Sequence, residues 1–155
     1  MRVQLTAVGQ KMPRWVADGY GEYAGRMPRE MRLELREIQP GDRGRGGDAA
    51  RAPAIEGQRL LQAVPKGARV IALDGGGRAV STEMLATEMQ GWLQGGQDIA
   101  LLVGGPDGLD PACLVTAQQT WSLSPLTLPH MLVRVLVAEQ LYRAWSILQG
   151  HPYHR

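Results

Sequence analysis

Ile99-Ala-Leu-Leu-Val103 is an unbroken apolar run, and Gly104-Gly-Pro-Asp-Gly108 follows it at once. A short apolar segment bounded by turn residues reads as a strand buried on both faces, and Gly-Gly-Pro can continue neither a strand nor a helix. The chain therefore turns sharply at Gly104. Asp110-Pro111 then offers a helix N-cap followed by proline at the first helical position. Strand, glycine loop and helix in this order make a ligand loop at the carboxyl end of a buried strand.

The loop is not built for phosphate. It lacks the Gly-x-x-x-x-Gly-Lys-Ser/Thr pattern of a P-loop and the Gly-x-Gly-x-x-Gly pattern of a dinucleotide fold. No lysine follows Lys66, which leaves a phosphate only backbone and arginine. Taken alone, the glycine loop reads first as a plain tight turn.

The rest of the chain supplies alternating elements. Arg2–Val8 alternates Val3, Leu5 and Ala7 with polar neighbours and stops at Gly9, as a strand does. Pro13 opens a helix with Val16, Tyr20, Tyr23 and Met27 on one face. Met31–Ile38 is a second strand, which completes a β-α-β unit. The segment 48–64 has helical composition, with Ile55, Leu60, Leu61 and Val64 inward and Pro53 at its start or at a kink. Ala68–Asp74 is a third strand ended by Gly75-Gly-Gly77, and Ser81 or Thr82 caps a helix that ends at Gly95-Gly96. Strands alternating with helices of this length predict an α/β fold, a mostly parallel sheet with helices on both faces. Ligands in such sheets sit at the carboxyl ends of strands, so Leu73-Asp74, Gly104–Gly108 and the 122–129 loop should share one rim.

The last helix, from about Pro129 to Gln149, is apolar on almost every face. In a chain of 155 residues this predicts burial against a second subunit, most simply in a two-fold homodimer. Arg134, Glu139 and Arg143 interrupt the apolar surface. They read either as solvated positions with a Glu139–Arg143 pair or as polar groups directed into a site across the dimer.

Composition excludes several classes. A single cysteine, Cys113, allows no intramolecular disulfide and fits a reducing compartment. No apolar run approaches the ~20 residues of a membrane span and no signal-type h-region is present, so a cytoplasmic protein with no membrane partner is expected. His151 and His154 flank a proline without the spacing of a metal site, so no metal is expected. Net charge is only +2, yet fifteen of seventeen basic residues are arginine, with Arg26, Arg29, Arg32, Arg36, Arg43, Arg45 and Arg51 close in sequence. Arginine suits phosphate contacts and base stacking, and the same bias also arises from GC-rich codon usage. The glycine-rich 40–47 segment reads as a mobile loop whose arginines are free to reach a partner.

Assembled in order, these residues resemble the SPOUT-type RNA methyltransferases, in particular the large-subunit rRNA methyltransferase H family. The resemblance runs nearly end to end: Gln4-Leu-x-Ala-Val-Gly9, Lys11-Met-Pro13, Leu101-Leu-x-Gly-Gly-Pro-x-Gly-Leu109, Trp121-Ser-Leu-Ser-x-Leu-Thr-Leu-Pro-His130, Val133-Arg-Val-Leu-Val-Ala-Glu139, Leu141-Tyr-Arg-Ala-Trp-Ser146 and His151-Pro-Tyr-His-Arg155. It implies one domain over residues 1–155 with a C-terminal trefoil knot, despite the general rarity of knots. It also implies S-adenosyl-L-methionine as the methyl donor, held by Leu73, Gly104, Gly105 and the segment Leu123, Ser124, Pro125, Leu126, Thr127 and Leu128. The implied reaction is methylation of N3 of a pseudouridine in 23S rRNA of the assembled ribosome. Glu139, Arg134, Tyr153, His154 and Arg155 are the candidates for handling the N3 proton, from the same chain or from the other subunit of a homodimer. The alternatives are a SPOUT enzyme acting on tRNA and a ribosome-binding factor without activity.

Overall fold

The computed structural model describes residues 1–44 and 47–155. Arg45, one of the clustered arginines, lies outside the described residues.

Five parallel strands form one sheet: β1 (Arg2–Val8), β2 (Arg32–Ile38), β3 (Arg69–Ala79), β4 (Ile99–Val103) and β5 (Gln119–Ser122), in the spatial order β2-β1-β4-β3-β5. Between them run α1 (Arg14–Ala24), α2 (Ala52–Ala63), α3 (Thr82–Gly95) and α4 (Pro111–Thr116), and α5 (His130–Leu148) follows β5. The mostly parallel α/β sheet expected from the alternation is present. Strand β4 is central and buried at every position, as its uninterrupted apolar run requires.

Alternation along β1 assigns each helix to a face. Val3, Leu5 and Ala7 join Leu85, Met89, Trp92, Val137 and Leu141 beneath α1, α3 and α5. Val8 joins Leu60, Leu102, Leu109 and Cys113 beneath α2 and α4. Gln4 and Thr6 face the α2 side and are buried rather than solvated. The Gln4 side-chain amide donates to Thr6 Oγ1 and to the Ala63 carbonyl, each at 2.9 Å, which satisfies them there.

Local chemistry sets most boundaries. Ser81 caps α3 by accepting from the Met84 amide at 3.1 Å, and Asp110 caps α4 by accepting from the Ala112 amide at 3.0 Å. Pro53 falls in the first turn of α2, where a missing N–H costs nothing.

Two expectations require correction. The strand predicted to end at Asp74 continues to Ala79 through an irregularity between Leu73 and Arg78, after which Arg78 pairs with Trp121. Gly77 makes this possible, because a Cβ there would lie 2.6 Å from the Thr120 carbonyl and would push the two strands apart. Strand β5 was not anticipated from the sequence, since its four residues are too few to show a pattern. On α2, Ile55 points outward and the neighbouring Glu56 is buried instead, at 2% exposure.

Candidate functional site

The carboxyl ends of β3 and β4 and the segment after β5 enclose a cleft of about 490 Å³. All nine residues named from the sequence as cofactor-binding line it: Leu73, Gly104, Gly105, Leu123, Ser124, Pro125, Leu126, Thr127 and Leu128. A second cavity of about 540 Å³ adjoins it, with walls from Leu85, Leu101, Trp121, Val137 and Leu141. The two cavities share Leu73, Leu123, Ser124 and Leu128. Trp121 is fixed in this wall by stacking on Trp92, with ring centroids 6.1 Å apart and planes 14° apart.

Backbone rather than side chain shapes the entrance. Gly104 passes so close to the far side of its own loop that a Cβ would lie 2.5 Å from the Gly108 carbonyl oxygen. The loop is closed by the Gly108 amide, which donates to the Gly105 carbonyl at 3.0 Å. Within the 122–129 segment, Ser124 Oγ accepts from the Leu126 amide at 2.9 Å and holds a local turn.

The charge inventory of the cleft is distinctive. No lysine or arginine lines it among the described residues; its titratable side chains are Asp74 and His130. Asp74 accepts from the Gly76 amide at 2.9 Å, which turns the glycine run. Burial, and secondarily the Arg134 guanidinium, hold the His130 imidazole below its ordinary value, against the opposing pull of Glu56. Sequence reasoning did not select His130 as a site residue. Its place at the first position of α5, directly after the cleft segment, was the available signal.

Of the five candidates for proton handling, only Glu139 and Tyr153 come together. Arg134 is fully buried and is neither solvated nor directed across a subunit boundary. Its Nη1 donates to Glu37 Oε2 at 2.7 Å, and its Nη2 donates to the carbonyls of Val8 and Gly9 at 3.2 and 2.8 Å. It therefore ties α5 to the end of β1.

Glu139 forms a separate cluster. It accepts from Arg143 Nε and Gln140 Nε2, each at 2.8 Å, and from the Tyr153 hydroxyl at 3.2 Å. The Glu139–Arg143 pair expected from i,i+4 spacing is thus present. Tyr153 also packs edge-on against Tyr142, with centroids 4.7 Å apart, and the Arg143 guanidinium lies 5.1 Å from its ring centre. The tail residues Pro152–His154 form a short 3₁₀ turn. Burial and hydrogen bonds with Tyr23 and Glu139 push the Tyr153 phenol up to about 12. Arg155 is exposed, and His154 is half-buried. None of Glu139, Arg134, Tyr153, His154 or Arg155 lines the cleft of its own chain.

A further correction concerns the 40–47 loop. Arg43 is not free: its guanidinium is bonded to Glu56 and Asp107.

This arrangement has relatives. A family model described as "Predicted SPOUT methyltransferase" matches residues 1–154. "Ribosomal RNA large subunit methyltransferase H" of Alkalilimnicola ehrlichii is 60% identical over 155 residues, covering 100% of this chain and 99% of that protein. Proteins with the same description from Hahella chejuensis and Marinomonas sp. are 57% and 54% identical, covering 100% of this chain and 99% and 100% of their own lengths. Among solved structures, a probable methyltransferase from Bordetella pertussis superposes with a TM-score of 0.57 at 16% identity, covering 92% of this chain and 95% of that one. A probable methylase family protein from Haemophilus influenzae gives a TM-score of 0.54 at 14% identity, over 99% of this chain and 70% of that one, and at these identities the likeness speaks for the fold. Given the parallel sheet, the cleft at its carboxyl rim and a match over residues 1–154, the chain belongs to the SPOUT methyltransferase family.

Proposed function

We propose that this protein is an S-adenosyl-L-methionine-dependent methyltransferase of large-subunit rRNA that acts on N3 of a pseudouridine in the assembled ribosome. The observation that carries the reading is the charge character of the cleft. Its walls are apolar and its loops are backbone, with no lysine or arginine among the described lining residues. Such a site suits a nucleoside attached to a positively charged sulfonium; a nucleotide phosphate would find no cation. Relatives described as ribosomal RNA large subunit methyltransferase H, 54–60% identical over the full chain, support the rRNA substrate.

When bound, S-adenosyl-L-methionine supplies an electrophilic methyl carbon on its sulfonium sulfur. The protein's own contribution is placement and exclusion of water. In this reading, Leu73 and Leu128 pack against the adenosine, while Gly104 and Gly105 let the backbone approach it. In the same reading, the chain after Trp121 is the threaded part of a trefoil knot. The base must lose its N3 proton before that nitrogen becomes nucleophilic. Tyr153, held protonated at neutral pH, serves as a donor and not as a base. Glu139 is the carboxylate that this donor and Arg143 hold in place.

The distance between tail and cleft supports a homodimer. His130, which lines the cleft, and Glu139, which holds the tail, are nine residues apart on one helix, about 14 Å along its axis. A two-fold partner with antiparallel α5 would bring the tail of one chain to the cleft of the other. Met131, Leu132, Val135 and Leu136 on α5 remain only partly covered, and Trp15 on the adjoining α1 is 63% exposed.

The test is methyl transfer from labelled S-adenosyl-L-methionine to assembled ribosomes, free large subunits, naked rRNA and tRNA, all from cells lacking this gene. Label confined to large-subunit rRNA of assembled ribosomes and mapped to N3 of pseudouridine is the expected result. Label in tRNA, or cofactor binding with no transfer to any RNA, overturns the assigned substrate.

A further inference from the structure

Glu56 is the one carboxylate among the described residues that is almost fully buried, and nothing in the reaction above uses it. It lies on α2, behind the glycine loop. Its Oε2 accepts from the Gly41 amide at 3.0 Å and from Arg43 Nη1 at 2.5 Å, and its Oε1 accepts from Arg43 Nη2 at 2.9 Å. The third guanidinium nitrogen, Arg43 Nε, donates to Asp107 Oδ2 at 2.9 Å. Asp107 is in the middle of the Gly104–Gly108 loop.

The carboxylate also backs that loop directly. A Cβ on Gly105 would lie 3.3 Å from Glu56 Oε1 and 3.1 Å from a Val8 methyl, so the Gly105 backbone rests against both. The next residue of α2, Gly57, lets the helix close on the end of the same segment, where a Cβ would lie 2.7 Å from that of Asp110. One turn of α2 therefore supports both ends of the loop, and Arg43 reaches over to hold its middle.

We infer that Arg43 is a positioning residue for the cofactor loop, splitting its guanidinium between buried Glu56 and Asp107 so that Gly104–Gly108 is held in its binding-competent shape. The geometry requires arginine. A planar fork serves two carboxylates at once, whereas an ammonium on a flexible stem serves one well. A buried carboxylate stripped of its partner is strongly disfavoured and must move or take up a proton, and either response removes the support beneath Gly105. The cluster also joins the 41–44 segment to the cofactor loop, so that whatever displaces Arg43 loosens the loop. This inference rests on the cofactor reading of the cleft.

The experiment uses Asp107→Asn, Arg43→Lys and Arg43→Ala in the full chain. Asp107 has a side chain 55% exposed, so its replacement by asparagine removes only the charge from the tie to the loop and leaves the Arg43–Glu56 pair intact. Binding of S-adenosylhomocysteine is measured by calorimetry, amide hydrogen exchange is measured at residues 105–108, and methyl transfer is measured against cofactor concentration. Asp107→Asn should weaken binding about threefold to tenfold, raise KM for the cofactor correspondingly and leave kcat within about twofold, with faster exchange in the loop. Asp107→Glu, which keeps the carboxylate, should recover most of the affinity. Arg43→Ala should be weaker still, and Arg43→Lys intermediate. If the wild-type protein binds and the folded Asp107→Asn and Arg43→Ala proteins bind and exchange identically, the inference is overturned and the cofactor reading stands. A wild-type protein that binds no S-adenosylhomocysteine overturns the cofactor reading and this inference with it.

Discussion

Arg134 Nη2 donates to the Gly9 carbonyl over 2.8 Å, a bond that joins the last helix to the end of the first strand across 125 positions of sequence. The same guanidinium pairs with Glu37 at the end of β2 and is wholly shielded from water. Arg134 is thus the polar centre of the junction between α5, β1 and β2, one turn from the cleft residue His130.

Replacing Arg134 by alanine leaves two buried carbonyls and the Glu37 carboxylate without their donor, and opens a cavity. Loss of one partner of a buried pair costs about 3–5 kcal/mol. For a chain of this size, that lowers the melting temperature by roughly 10 °C or more. Calorimetry or thermal circular dichroism checks this; a shift of only a degree or two would mean that the junction does not depend on the guanidinium.

Tyr153 should titrate late. Its phenol is raised from an ordinary 10.0 to about 12, so the folded state holds the proton more tightly than the unfolded chain does. The stability this contributes is complete below pH 10 and is lost as pH rises from 10 to 12. Spectrophotometric titration of the wild-type and Tyr153→Phe proteins should show one phenolate of the late set missing from the variant. If the missing phenolate ionises near pH 10, Tyr153 is not packed against Glu139 and Tyr23 as described.

Gly104→Ala tests the cleft without touching any charge. The added methyl meets the Gly108 carbonyl and forces the loop open, so affinity for S-adenosylhomocysteine should fall by at least about tenfold, as overpacking of a tight site predicts. Titration calorimetry of the soluble variant decides it, and unchanged affinity would move the cofactor away from this loop.

The partly covered face of α5 predicts association. Sedimentation equilibrium should give twice the mass of the chain, and aspartate at Leu132 should shift the population toward monomer. A wild-type protein that sediments as a monomer at micromolar concentration contradicts the homodimer.

The sequence was legible where one pattern answered to one force. The apolar run 99–103 could only be a strand covered on both faces, and Asp110-Pro111 could only begin a helix. The rim of a parallel sheet gathers the loops that follow its strands, which is why Leu73-Asp74, Gly104–Gly108 and the 122–129 loop could be placed together from the pattern; the nine individual cleft residues came from the family resemblance. What stayed hidden depended on partners distant in the chain. Strand β5 is four residues long and exists because Gly77 admits it. Glu56 reads as a surface residue until Arg43 and the Gly41 amide are brought to it. Arg134 looks like a break in an apolar helix until the ends of β1 and β2 supply it with acceptors.

The strand order has a bearing on how the protein is made. The central pair is β1 with β4, yet Leu5 and its partner Leu101 are separated by most of the chain, and β5 and α5 come later still. During synthesis the opening β1-α1-β2 unit can pair early. Its inner edge, however, stays bare until β4 emerges, and Val8 and Gly9 wait for Arg134. Long-range pairing of this kind slows folding and prolongs exposure of an unpaired strand edge. A nascent chain stalled before residue 99 would present β1 as a sticky edge, so protection by a chaperone, or a short pause-free passage through this stretch, would govern the yield of active protein.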